Sequence, residues 1–169
     1  MKLLVSSSGP HAALLDWGNG ARRAATGAGG IGTKLSEGDG VTPAGDFFLR
    51  RVLYRADRIA RPATGLPLAQ LAPDDGWCDA PLDPDYNRAV KLPHRASAER
   101  LWRDDHLYDL MAVIGFNDAP VIPSVGSAIF LHIARPDFGV TQGCVALAMN
   151  DLLEAVARLA PGDMISIRS

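Results

Sequence analysis

SAIFLHIARPDFGVTQGCVAL, residues Ser127 to Leu147, is the stretch from which the rest of the chain is read. Ala128-Ile129-Phe130-Leu131 is a short apolar run with β-branched and aromatic content, the pattern of a buried strand, and it delivers His132 at or near its end. Arg135-Pro136-Asp137-Phe138-Gly139 is turn chemistry, because proline fixes φ and glycine permits positive φ. Val140 to Cys144 then brings the backbone back toward the histidine. A thiol and an imidazole twelve positions apart across one such turn are placed to meet. If they do, the imidazole takes the thiol proton and creates a nucleophile that a neutral thiol is not. Gly143, lacking a Cβ, lets a carbonyl substrate approach the backbone, and the Gly143 and Cys144 N–H groups are then candidates for holding an oxyanion. The competing reading is structural: free cysteine is among the most often buried residue types, and a lone histidine at a strand end is usually hydrogen-bonded scaffolding.

Downstream, Asn150 reads as a helix N-cap, Asp151 favours the first turn, and Leu152, Leu153, Val156 and Leu159 recur at amphipathic spacing. Pro161-Gly162 stops that helix, and Met164 to Ile167 is a closing strand. Upstream, Leu107 to Ile114 is an apolar strand, and Ser97 to Arg103 reads as one or two helical turns. Prolines at 62, 67, 73, 81, 84 and 93 preclude long helices between residues 56 and 98, which predicts an irregular, packed insertion held by Trp77 and Tyr86. Arg103, His106, Tyr108 and Tyr86 are the side chains of this region taken as candidates for a substrate cleft. At the other end, Lys2 to Ser6, Ala12 to Trp17 and Ala21 to Thr26 predict a β-meander, its second turn marked by Gly18-Asn19-Gly20. Gly27-Ala28-Gly29-Gly30-Ile31-Gly32 fits the dinucleotide fingerprint formally, but the residues after it are too glycine-broken to form the required helix, so it is read as a loop. Asp46 to Tyr54 is a strand with Phe47, Leu49 and Leu53 facing inward.

The bounds are those of an ordinary folded domain. The 169 residues fit one domain, 1–169, carrying an insertion at about 56–110. A net charge of -2 gives no broad basic footprint for nucleic acid. Seventeen glycines and twelve prolines favour a turn-rich β or mixed architecture over a helical bundle. The two cysteines, Cys78 and Cys144, are expected to be reduced, with Cys78 structural, and the four histidines form no zinc-type spacing with them, so neither a metal nor another cofactor is expected. Met1 to Ser8 resembles the start of a secretory signal but its apolar run is brief and Gly9-Pro10 breaks it, so no export address is visible; no run approaches the length of a membrane span.

His132 followed by Thr141-x-Gly143-Cys144-Val145-x-Leu147, with Gly38 to Gly40 leading into Thr42-Pro43-x-Gly45-x-Phe47, resembles the signature of the YkuD-type L,D-transpeptidases. Two separated motifs in the right order are far more specific than either alone. The resemblance implies a mainly β fold, a curled mixed sheet forming a barrel or sandwich with the C-terminal helix packed against it. It also implies that Cys144 is the nucleophile, His132 the base, and Thr141 and Gln142 supports of the motif. The implied reaction joins peptidoglycan stem peptides, donor and acceptor, through a cysteine thioester, with carbapenem-type β-lactams as inhibitors and the periplasm or cell envelope as location. Two positions depart from the family pattern: Gln142 stands where histidine is common and Ala146 where arginine is common. The first leaves His132 as the only nearby base, and the second removes a cation from the substrate site. The alternatives are a hydrolase of the same fold, either an L,D-carboxypeptidase or a wall-detaching amidase, and an inactive wall-binding module; sortase-like transpeptidation also orders His before Cys but ordinarily needs a much wider separation and a later arginine.

Overall fold

The computed structural model describes residues 1–169. Three antiparallel strands open the chain, β1 (Lys2–Ser7), β2 (Ala12–Asp16) and β3 (Arg22–Ala25). Their two-residue alternation buries Leu3, Val5, Ala13 and Leu15 and leaves Leu4 and Leu14 in solvent. A two-residue parallel ribbon follows, β4 (Ile31–Gly32) with β5 (Thr42–Pro43), and then the long β6 (Gly45–Tyr54). β7 (Leu68–Gln70), β8 (Asp75–Cys78), β9 (Ala89–Lys91) and β10 (Ala98–Arg100) occupy the insertion. The chain closes with β11 (Leu110–Ile114), β12 (Phe130–Ile133), β13 (Val145–Leu147), the helix α1 (Met149–Arg158) and β14 (Met164–Arg168).

The main sheet runs β11-β12-β13-β3-β2-β1-β14-β6, and β6 pairs back onto β11, so eight strands curl into a barrel-like ring with β7 added beside β6. Neighbours are mostly antiparallel, but β1–β14 and β12–β13 are parallel, which makes the sheet mixed, as expected. A register shift in the β6–β11 pair sets Val52 opposite Ala112 and Leu49 opposite Ile114, so β6 carries one extra residue there. That bulge returns Leu49 and Val52, three positions apart, to one apolar cluster and sends Leu53 to the opposite face. Leu152, Ala155, Val156 and Leu159 of the helical segment join the larger cluster with Leu3, Leu15, Leu131 and Ile165.

Several sequence expectations are corrected here. Asn150 is not the N-cap; Ala148 holds that position without a side-chain hydrogen bond, and the helix is held by its buried stripe and by an Asp151–Arg22 ion pair at 3.2 Å. Ser97 to Arg103 is not helical, because Ala98, Glu99 and Arg100 pair with Cys78, Trp77 and Gly76 in a three-stranded sheet, β10-β8-β9. The insertion is therefore partly regular, its prolines lying between the short strands. Trp77 and Tyr86 do hold it: the Trp77 indole donates to Asn87 Oδ1 at 2.9 Å, and the Tyr86 hydroxyl donates to Glu37. Ala128 adopts φ +53°, so β12 begins at Phe130 rather than Ala128, and it carries His132 one residue before its end, as expected.

Candidate active site

The parallel pair β12–β13 places the two candidate catalytic side chains. Leu131 lies opposite Val145 and His132 opposite Ala146. Leu131, Val145 and Leu147 point into the barrel core, so Phe130, His132, Ala146 and, two residues before it, Cys144 share the other face. With strands ~4.8 Å apart and ~6.6 Å per residue pair, the Cα atoms of His132 and Cys144 are diagonal neighbours at roughly 8 Å. Both side chains line one cleft of about 490 Å³, between the barrel and the insertion, and each residue is 5% exposed.

The turn that presents the cysteine is locked by its own threonine and by two neighbouring loops. The Thr141 hydroxyl donates to the Cys144 carbonyl at 2.7 Å and accepts the Gly143 N–H at 3.1 Å. Thr141 is also bridged to Gly27, with its N–H on Thr26 O at 3.0 Å and its carbonyl accepting Ala28 N–H at 3.1 Å. A Cβ on Gly27 would lie 1.9 Å from Gly40 O and 2.9 Å from Gly143 Cα. The glycine run at 27–32 thus serves close loop packing, which is why it forms no helix. Gly143 itself has φ +126°, and a Cβ there would meet Val41 O at 2.8 Å. The space at Gly143 is filled by backbone from the β5 approach, not left open for a substrate. The Gly143 N–H is engaged by Thr141, whereas the Cys144 N–H makes no hydrogen bond within the chain.

The Cys144 thiol donates to Ala128 O at 3.3 Å and accepts the Phe130 N–H at 3.3 Å. His132 Nδ1 faces Ile133 O at 2.8 Å, and since a carbonyl only accepts, Nδ1 carries the proton and Nε2 bears the lone pair. Nε2 has no partner within the chain. Burial holds both groups neutral: it pushes the His132 pKa down to about 4 and the Cys144 pKa up to about 12, the latter assisted by the Glu99 charge. The Tyr108 ring stands edge-on to His132 at 5.2 Å between centroids, and its hydroxyl donates to Glu99 Oε1 at 2.5 Å. Burial raises the Glu99 carboxyl above its usual range. Arg103 lies over the Tyr108 ring, 5.0 Å from its centroid, and pairs with Asp105.

Of the residues singled out in the sequence, Arg103, Tyr108, Thr141 and Gln142 line the cleft with His132 and Cys144. Tyr86 and His106 do not. Tyr86 is buried behind it, where its hydroxyl donates to Glu37 and accepts the Gly126 N–H at 2.9 Å, fastening the insertion to the approach of β12. His106 has φ +65°, a side chain 72% exposed, and turns to Asp109 at 2.7 Å. The sequence reading missed Lys34, Glu37, Asp79, Glu99 and Arg135, which also line the cleft. Lys34 is buried on Asp39 at 2.5 Å. Only the Gly38-Asp39-Gly40 motif pointed near that pair, and no periodicity marks the others.

A thiol and an imidazole on one face of the sheet and in one cleft, the free imidazole nitrogen without a partner and the cysteine N–H unengaged, are the parts of a cysteine acyl-transfer site. The family model of the YkuD L,D-transpeptidase catalytic domain matches residues 4–167, and the chain belongs to that family. Comparisons with curated proteins and with solved structures gave no match.

Proposed function

We propose that the protein is a peptidoglycan L,D-transpeptidase that joins stem peptides through a Cys144 thioester. The reading rests on one observation above the others: His132 keeps Nε2 unprotonated and unengaged on the face that carries Cys144. In this mechanism the thiol leaves Ala128 O and gives its proton to His132 Nε2 as sulfur attacks the donor carbonyl. The Cys144 N–H receives the oxyanion, the role assigned to it from sequence; Gly143 contributes only where its N–H leaves the Thr141 hydroxyl. Collapse breaks the peptide C–N bond, the imidazolium protonates the departing amine, and a thioester remains. An acceptor amine then attacks the thioester, His132 takes its proton, and the thiol is restored. Because both groups rest neutral, thiolate forms during attack rather than standing as a preformed ion pair.

Lys34, Arg103 and Arg135 face the cleft together with Glu37, Asp79 and Glu99. Such mixed charge suits stem peptides, which carry carboxylates and a free amine, and Arg103 and Arg135 replace the cation that Ala146 does not supply. The acceptor is an amine at a D-centre, as in diaminopimelate, and the working location is the periplasm; no helix is long and apolar enough to cross a membrane. The test is incubation with purified muropeptides followed by mass spectrometry. Cross-linked dimers that vanish in Cys144→Ala are expected. Shortened monomers without dimers would make the enzyme a hydrolase, and unchanged muropeptides would remove the reading altogether.

A further inference from the structure

We infer that Cys78, Asp83 and His94 form a binding site for a zinc-class divalent cation in the insertion, distinct from the cleft that holds Cys144. The three residues come from the end of β8, the turn that follows it, and the segment after β9. Their sulfur, oxygen and nitrogen ligand atoms lie within 4.8 Å of one another. No sequence spacing disclosed this, because the ligands are brought together by the β8–β9 pairing rather than by a short motif.

The imidazole points to a ligand. His94 Nε2 is fully buried and has no hydrogen-bond partner within the chain, and its side chain is only 9% exposed. The nearest carboxylate oxygen, Asp83 Oδ1, is 3.6 Å away, beyond hydrogen-bond distance. A desolvated ring nitrogen with nothing to bind is uncommon in a folded chain. A cation between it, the sulfur and the carboxylate accounts for it.

Asp83 Oδ1, the carboxylate oxygen nearest His94 Nε2, already accepts the Asp85 N–H at 2.8 Å and the Arg95 guanidinium at 2.6 Å, while Oδ2 makes no hydrogen bond in the chain. Ligation through Oδ2 therefore requires a turn of the carboxylate toward the ring. Arg95, 57% exposed, reaches Asp83 and Asp85 and offsets their charge without using the free oxygen.

One sulfur, one imidazole nitrogen and one carboxylate oxygen form a donor set for zinc rather than for magnesium or calcium. Tetrahedral coordination at zinc bond lengths separates ligand atoms by about 3.5 Å, so the widest separation in the cluster closes by at most roughly 1 Å on binding. Binding expels the Cys78 thiol proton to solvent and uses the neutral imidazole, and water completes the fourth position. Asp79, the next residue after Cys78, lines the active cleft. The cation therefore clips together the insertion wall of that cleft and serves a structural purpose.

The test is titration of the metal-free full chain with Zn²⁺ and, separately, Co²⁺. One zinc per chain is expected, together with the thiolate-to-cobalt charge-transfer absorption. Cys78→Ser should abolish that absorption, and His94→Gln or Asp83→Asn should weaken zinc binding about 100-fold or more. Cys144→Ala should change neither. Because Cys78 is completely buried, His94→Gln, checked by its metal-free melting curve, carries the test if Cys78→Ser fails to fold. Absence of the cobalt–thiolate band, zinc affinity unchanged in His94→Gln, or a band lost in Cys144→Ala but kept in Cys78→Ser would each overturn the assignment. None of these outcomes depends on the transpeptidase reading.

Discussion

Thr141→Val removes a hydroxyl while keeping nearly the same shape, and the structure indicates what that hydroxyl is worth. It satisfies two backbone groups at once, donating to the Cys144 carbonyl and accepting the Gly143 N–H, and both of those residues are buried. Each hydrogen bond contributes about 0.5–1.5 kcal/mol net, and a buried partner left unsatisfied costs about 1–3 kcal/mol. Some relaxation of the turn is expected, so the loss should be about 2–4 kcal/mol. For a domain of this length that is a fall in melting temperature of roughly 5–15 °C. Urea unfolding of the parent, Thr141→Val and Thr141→Ser measures it, and Thr141→Ser should recover all but about 1 kcal/mol. Acylation of Cys144 should fall in Thr141→Val and return in Thr141→Ser, since the hydroxyl acts by holding the cysteine turn. A Thr141→Val protein within 0.5 kcal/mol of the parent, about the scatter of a neutral surface substitution, refutes the reasoning. So does a serine variant as damaged as the valine one.

Gly143→Ala places a Cβ 2.8 Å from Val41 O at φ +126°, so the variant should lose about 1–3 kcal/mol in urea unfolding; unchanged stability would show that the loops yield freely. His132 has its folded pKa lowered from 6.5 to about 4, so the unfolded chain takes up that proton first as pH falls. The contribution of His132 is fully present above about pH 6.5 and is lost progressively toward pH 4, in total about 3 kcal/mol. His132→Gln should therefore show a shallower decline in stability between pH 6.5 and 4 than the parent, whatever its stability at pH 7. Parallel curves would contradict the burial argument.

Much of the barrel was legible because its elements obey one period each. The alternation of Leu3-Leu4-Val5 and Ala13-Leu14-Leu15 marks strands buried on one face, and Leu152, Val156 and Leu159 mark the helix stripe. The candidate pair is marked in the sequence for a different reason: two motifs in fixed order point to Cys144 and His132, although only the parallel β12–β13 register explains why they share a face. The insertion was not legible. Ala98-Glu99-Arg100 has good helix propensity and forms a strand because β8 offers it partners twenty or more positions away. Gly143 reads in the sequence as room for a substrate, whereas the space beside it is taken by Val41 backbone. Tyr86 and His106 were chosen for their chemistry, yet positive φ at His106 and the Glu37 bond of Tyr86 turn both from the cleft. Glu99 and Lys34 were overlooked because their role depends on contacts with Tyr108 and Asp39 that no local pattern announces.

The central claim is that Cys144 carries the acyl group and that His132 takes the thiol proton. Rapid quenching of the protein with a stem-peptide donor, followed by peptide mapping by mass spectrometry, tests it directly. The account predicts a thioester on the Cys144 peptide that forms quickly in the parent, is absent from Cys144→Ala, and accumulates far more slowly in His132→Ala, with Cys78 unmodified throughout. An adduct on Cys78, or His132→Ala acylating as fast as the parent, would contradict it.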